Sequence, residues 1–176
     1  MNVKECFEKL RPSKFIIANE IDIDFESILE VGCYYGESLS ALEKKYPDKR
    51  IVGIDVDSDI LTESRPYLSK AITTYGDGRG IHFKDKSFDI VFTNALICML
   101  AKEDVERVIS EILRVAKRQV FFIELWCEDE LIGIRNNRTA VNWRKMFPNA
   151  EIRKITKEEW DVEPWLTYGY LIKLTL

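Results

Sequence analysis

Residues 28–39 read ILEVGCYYGESL. An apolar run meets an acid, Glu30, then Gly32, two tyrosines and Gly36, and passes into residues of helical period. A strand that turns through glycine into a helix presents backbone N–H groups and the positive end of a helix dipole, an arrangement that suits an anion. Glu30 works against that use. A carboxylate at the strand end repels a pyrophosphate but can hold an ammonium group, directly or through water. The dinucleotide fingerprint G-x-G-x-x-G, read from Gly32, needs glycines where Tyr34 and Glu37 stand, and no G-K-[ST] follows for a phosphate loop.

Outward from this turn, short β-rich runs alternate with longer runs of helical period, the pattern of βαβ units and a parallel sheet. Strands are predicted at 27–31, 50–54, 71–74, 89–93 and 119–125, nearly continuous in apolar character, as strands covered on both faces must be. The helix predicted at 37–46 places Leu39, Leu42 and Tyr46 on one face. The helix at 102–117 does the same with Val105, Val108, Ile109, Ile112, Leu113 and Ala116. Pro47 stops the first helix, Asp57 or Ser58 can cap the next, and Pro66 ends or kinks it. Beyond residue 125 the pattern loosens, with a helix expected at 138–147 and strands at 151–155 and 168–176. A single α/β domain over 1–176, with a short lead-in at 1–26, is the expected organisation.

Composition narrows the function. A hydrophobic content of 46% fits a soluble globular chain, and a net charge of -4 gives no overall basic field, so nucleic acid is not an expected partner. Residues 1–11 mix charged and apolar residues, so neither a signal peptide nor an anchor is expected, and a cytoplasmic location follows. The longest near-apolar segment, 95–101, is far shorter than the roughly 20 residues of a membrane span. Cys6, Cys33, Cys98 and Cys127 form no C-x-x-C pair, and His82 is the lone histidine, so no metal site is expected and the thiols should be reduced and mostly buried.

The turn bearing Glu30, Gly32, Cys33, Tyr34 and Gly36 resembles the first motif of class I S-adenosylmethionine-dependent methyltransferases of the type 11/12 kind, apolar-[DE]-x-G-x-G-x-G, with Tyr34 at the middle glycine. Three further segments extend the resemblance over residues 27 to 125. RIVGIDVDS, 50–58, ends a strand on Asp55, followed by Val56; the resemblance implies that Asp55 accepts from both ribose hydroxyls. TTYGDGRG, 73–80, supplies Asp77 and Gly78, implied to accept from the adenine amino group and to offer an N–H to the ring. KDKSFDIVFTNAL, 84–96, with VISEILRVAK, 108–117, looks like the fourth strand, ending on Asn94, and the helix after it. The resemblance therefore implies a Rossmann-like, doubly wound seven-stranded sheet, mostly parallel, with the last strand antiparallel between strands five and six. It implies S-adenosylmethionine as cofactor and S-adenosylhomocysteine as product.

Departures from the motif bear on mechanism. Tyr34 lacks the freedom of glycine, and a positive φ there costs on the order of 1 kcal/mol, so either the turn is reshaped or the ring has a task. It can wall the methionine end of the cofactor or pack on the neighbouring loop. NALICML, 94–100, places Cys98 and Met99 where many small-molecule members carry a Glu-His pair, and KRQVFFIEL, 117–125, enters the fifth strand without a Gly-Gly turn, a likeness to the short methylases of sugar biosynthesis.

Methyl transfer from a sulfonium is an in-line displacement that needs alignment, dryness, and a base only if the nucleophile carries a proton. Glu124 is the candidate base, with capping of loop N–H groups as the alternative role. The strand-four end lacks [DN]-P-P-[FY], and no Pro-Cys dipeptide is present, which argues against base methylation. IRNNRTAVNWRK, 134–145, is a basic island; Trp126, Arg135 and Arg138 are the expected acceptor residues, since arginine clamps phosphate or carboxylate bidentately. The expected function is methylation of a small anionic molecule, with a sugar-linked acceptor as what the likeness above implies. A cofactor-binding module that supports a partner protein is the alternative.

Overall fold

The computed structural model describes residues 2–176. A lead-in of α1 (Val3–Glu8), a 3-10 turn (Pro12–Lys14) and α2 (Ile16–Glu20) precedes the sheet. The alternating half follows as β1 (Ser27–Val31), α3 (Glu37–Lys45), β2 (Arg50–Asp55), α4 (Ser58–Ser64), β3 (Ile72–Tyr75), β4 (Phe88–Asn94), α5 (Lys102–Val115) and β5 (Ala116–Leu125). Asp57 caps α4, its Oδ1 accepting from the N–H groups of Asp59 and Ile60, while α5 runs straight into β5 at Ala116 with no glycine between them. The remainder is β6 (Ile132–Arg135), β7 (Arg138–Val141), α6 (Trp143–Met146), β8 (Glu151–Lys154), α7 (Trp165–Tyr168) and β9 (Gly169–Thr175).

The seven-stranded sheet runs β3-β2-β1-β4-β5-β9-β8. β1 to β5 are parallel, and β9 lies antiparallel between β5 and β8, as the resemblance implied. Each face carries a core. On one, Ile28, Ile90, Phe92, Phe121 and Ile123 pack with Leu39 and Leu42 of α3 and Ile16 and Ile17 of α2. On the other, Leu29, Val31, Val91, Val120 and Phe122 pack with Val105, Val108, Ile109 and Ile112 of α5 and with Trp143. This explains the unbroken apolar runs: alternate residues of each strand are buried on opposite faces. Because β1 lies between β2 and β4, the strand order reverses at the β1–β4 seam, and a crevice opens there at the carboxyl ends.

The helix expected at 138–147 is a correction. Residues Arg138–Val141 form β7, paired antiparallel with β6, and only Trp143–Met146 is helical. Asn136 and Asn137 make the two-residue turn, with φ of 50° and 60°, the left-handed pair that a tight hairpin requires and asparagine tolerates.

Candidate functional site

The glycine turn keeps its left-handed geometry despite Tyr34. Gly32, Tyr34 and Gly36 have φ of 75°, 52° and 81°. A Cβ on Gly32 would lie 2.7 Å from Leu96 Cδ1, so a side chain there would be strained by the φ of 75° and would have to displace Leu96. At Tyr34 the cost of positive φ is offset by a bond that ties the turn to β2: its N–H donates to Asp55 Oδ2 at 2.8 Å. Cys33 is buried below, against Gly53 of β2, where an added Cβ would fall 2.7 Å from Cys33 Sγ. The Tyr34 ring stays half exposed, in edge contact with Tyr35 at 4.3 Å between centroids.

Glu30 is 2% exposed, and its Oε2 has no hydrogen-bond donor. Burial pushes its carboxyl up to about 8; Lys14 and a bond from Ser38 pull the other way, and Glu37 and Asp55 add repulsion. Asn94, also buried, donates from Nδ2 to the Ser13 carbonyl at 3.2 Å and to Ser38 Oγ at 3.4 Å, and its Oδ1 is unpartnered. Two buried acceptors without donors therefore lie at the ends of β1 and β4, beneath the turn. This suits an ammonium-bearing ligand, the end of S-adenosylmethionine that Glu30 is expected to meet.

Asp55 sits half-buried at the end of β2. Its Oδ2 accepts from the Tyr34 N–H and its Oδ1 from the Asp57 N–H at 3.1 Å, leaving a second lone pair on each oxygen for a hydroxyl pair. Val56 beside it is 56% exposed, an apolar surface at the expected edge of the nucleoside. Asp77 is paired within the chain. Arg79 embraces its carboxylate, with Nε 3.0 Å from both oxygens and Nη2 2.7 Å from Oδ2, and the pairing holds the acid below the usual carboxylate range. An adenine amino group would have to share oxygens already held by a guanidinium. Gly78 is packed so that a Cβ would lie 3.2 Å from Val31 Cγ1.

A cleft of about 530 Å³ opens over the turn. Tyr34, Tyr35 and Glu37 line it on one side, Ala95, Cys98 and Met99 on another, and Arg11, Lys14, Arg138, Trp160 and Trp165 complete it together with Cys6 and Ser13. Three of these are cations and one is an acid. Trp160 and Trp165 stack 3.9 Å apart, and Arg138 contacts Met99 Sδ.

Of the acceptor residues expected from sequence, Arg138 alone lines this cleft. Arg135 is turned to Asp129, 3.4 Å away, and over the Tyr168 ring. Trp126 packs on Tyr170 at 5.0 Å between centroids. Glu124 is fully buried, and its oxygens accept from Thr93 Oγ1 and from the N–H groups of Leu96, Ile97 and Cys98 at 2.8 to 3.1 Å. It therefore holds the loop after β4 by three bonds and the end of β4 by a fourth; burial still raises its carboxyl to about 7. Arg11, Lys14, Trp160 and Trp165 were missed, because they lie in segments without strand or helix periodicity that meet only in three dimensions.

The methyltransferase domain family matches residues 28–119. The chain is 28% identical over 163 residues to an uncharacterized protein of Haemophilus influenzae, covering 86% of this chain and 63% of that protein. It is 25% identical over 144 residues to trans-aconitate 2-methyltransferase of Escherichia coli, covering 81% of this chain and 55% of that enzyme. The chain thus spans less than two thirds of the length of either relative. Its fold is similar to that of a SAM-dependent methyltransferase from Aquifex aeolicus, with a TM-score of 0.66, 15% identity, and coverage of 99% of this chain and 98% of that one.

Proposed function

The chain belongs to the methyltransferase domain family, and on that premise we propose that it methylates a small anionic molecule with S-adenosylmethionine as donor. The observation that carries this reading is that the motif turn and a set of cations share one cleft: Tyr34 and Tyr35 face Arg138, Lys14 and Arg11 across it. When bound, S-adenosylmethionine supplies an electrophilic methyl group on a sulfonium. Asp55 would hold the ribose hydroxyls, Glu30 the ammonium, and Val56 would flank the base; the unmatched oxygen of Glu30 fits that assignment.

On the acceptor side, Arg138 supplies a positive charge at the cleft wall, and Trp160 and Trp165 supply flat apolar surface that displaces water. An acceptor carboxylate or phosphate oxygen is already ionised at neutral pH and needs no base. That agrees with Glu124 being committed to the loop and with Cys98 and Met99 standing in place of an acid-base pair. The relatives named for methylation of trans-aconitate, a carboxylate, point to the same class of acceptor.

The test is transfer of a labelled methyl group to panels of carboxylate and phosphate metabolites, followed by Arg138→Ala. Loss of one charged contact should weaken acceptor binding by about 2–5 kcal/mol, with affinity for S-adenosylhomocysteine unchanged. Labelling of RNA or protein but of no metabolite would overturn the proposal.

A further inference from the structure

Beside Arg138 the cleft adjoins a second cavity, of about 390 Å³, that the reading above leaves unused. Cys98, Met99 and Arg138 line both, so the two spaces meet at those residues. One wall of the second cavity is the segment after β4, with Met99 and Leu100, and the other is the β6–β7 hairpin, with Ile134 and Thr139. Asn136 and Asn137 of the hairpin turn complete the lining.

Both walls are held in place. Glu124 accepts from the N–H groups of Leu96, Ile97 and Cys98 on one side, and Thr139 Oγ1 donates to the Leu100 carbonyl at 2.6 Å, which bonds the hairpin to that segment. Ile134 pairs with Thr139 across the hairpin, so its side chain lies on the face that makes this bond. The apolar surface between the walls is nevertheless uncovered: Met99 is 66% exposed and Ile134 49%. Single exposed apolar side chains are ordinary, but two that line one cavity with fixed walls form a surface that an apolar ligand can cover. The charge beside it is equally open to a ligand. The Arg138 guanidinium rests on the Met99 thioether, a weak acceptor that an anion can displace, and the flexible methionine can follow the change.

We infer that the acceptor is an amphiphilic anion: its charged group lies beside Arg138 in the cleft, and an unbranched apolar chain runs past Met99 into the second cavity, against Leu100 and Ile134. The inference rests on the acceptor reading above and narrows it from any small anion to one that carries an alkyl chain.

Calorimetry on the complex with S-adenosylhomocysteine tests it, with acetate, butanoate, hexanoate and octanoate as probes, each below its micelle concentration. Affinity should rise roughly two- to fourfold per methylene until the cavity is full. Ile134 is exposed, so its replacement should leave the fold and the affinity for S-adenosylhomocysteine intact. Ile134→Ser should flatten the gradient, and Ile134→Trp, which fills the cavity, should make octanoate bind more weakly than butanoate. Affinity that does not rise with chain length, or a gradient that survives in both folded variants, overturns the inference. If none of the four acids binds while a short polycarboxylate is methylated, the inference falls and the acceptor reading stands; if no anion is bound or methylated, both fall.

Discussion

Glu30 and Glu124 are carboxylates near the carboxyl ends of β1 and β5, 2% and 0% exposed, yet their surroundings differ. Glu124 has four donors from the protein itself, whereas one oxygen of Glu30 has none. Sequence alone offered Glu124 both as a base and as a loop cap, because a strand-end acid reads the same in either role until its neighbours are placed. Burial raises both groups from the ordinary 4.5, to about 8 for Glu30 and about 7 for Glu124. The folded chain thus binds these protons more tightly than the unfolded chain. Their stabilising contribution is complete below about pH 4.5 and is lost as pH rises through 7 and 8. Urea midpoints of the ligand-free protein should fall between about pH 5 and 9, and Glu30→Gln should flatten the upper part of that fall. A midpoint that climbs across this window contradicts the assignment. The same proton should appear on binding: an ammonium against Glu30 favours its ionised form, so S-adenosylhomocysteine binding at pH 7 should release protons, seen as a heat that varies with buffer ionisation enthalpy and vanishes in Glu30→Gln.

At the scale of elements, the parallel half of the sheet was legible and the segment after β5 was not. β1, β2, β4 and β5 are buried on both faces and carry unbroken apolar runs, a signal that needs no tertiary information. The hairpin β6–β7 is short and lacks such a run, and residues 138–147 mix both periods. The two-residue asparagine turn is the signal available in the sequence. Asn137→Val places a β-branched residue at φ of 60° and should cost roughly 1–2 kcal/mol of hairpin stability. Its readout is a raised acceptor KM through displaced Arg138 with cofactor affinity intact; an unchanged KM would show that the hairpin does not position the acceptor. Where α3 crosses β2, Gly53 admits no Cβ, since one would lie 2.6 Å from Leu39 Cδ1 and 2.7 Å from Cys33 Sγ. Gly53→Ala should destabilise by about 1–3 kcal/mol through overpacking, measured as a lower denaturant midpoint, and should weaken cofactor binding because Cys33 belongs to the turn. Stability equal to wild type would mean that this contact is slack.

Across the whole molecule, the site is a product of topology. The reversal of strand order at β1 and β4 places the glycine turn and the loop after β4 around one crevice, with Asp55 bonded to the turn through the Tyr34 N–H, and those parts are readable because they follow one another along residues 28–96. The lead-in closes the crevice from one end of the sequence, and Trp160 and Trp165 close it from the other, brought near by β9 lying against β5. No local pattern announces such convergence, which is why Arg11, Lys14, Trp160 and Trp165 cannot be read from the sequence as lining residues. The central claim is that this crevice is an S-adenosylmethionine site, and calorimetric titration with S-adenosylhomocysteine in wild type and in Asp55→Ala tests it most directly. The account predicts one-to-one binding by the wild type and a loss in the variant of about 1.5–3 kcal/mol, roughly ten- to a hundredfold, with the fold intact by circular dichroism. A folded wild type that takes up no S-adenosylhomocysteine, or an Asp55→Ala variant that binds it as tightly, would contradict it.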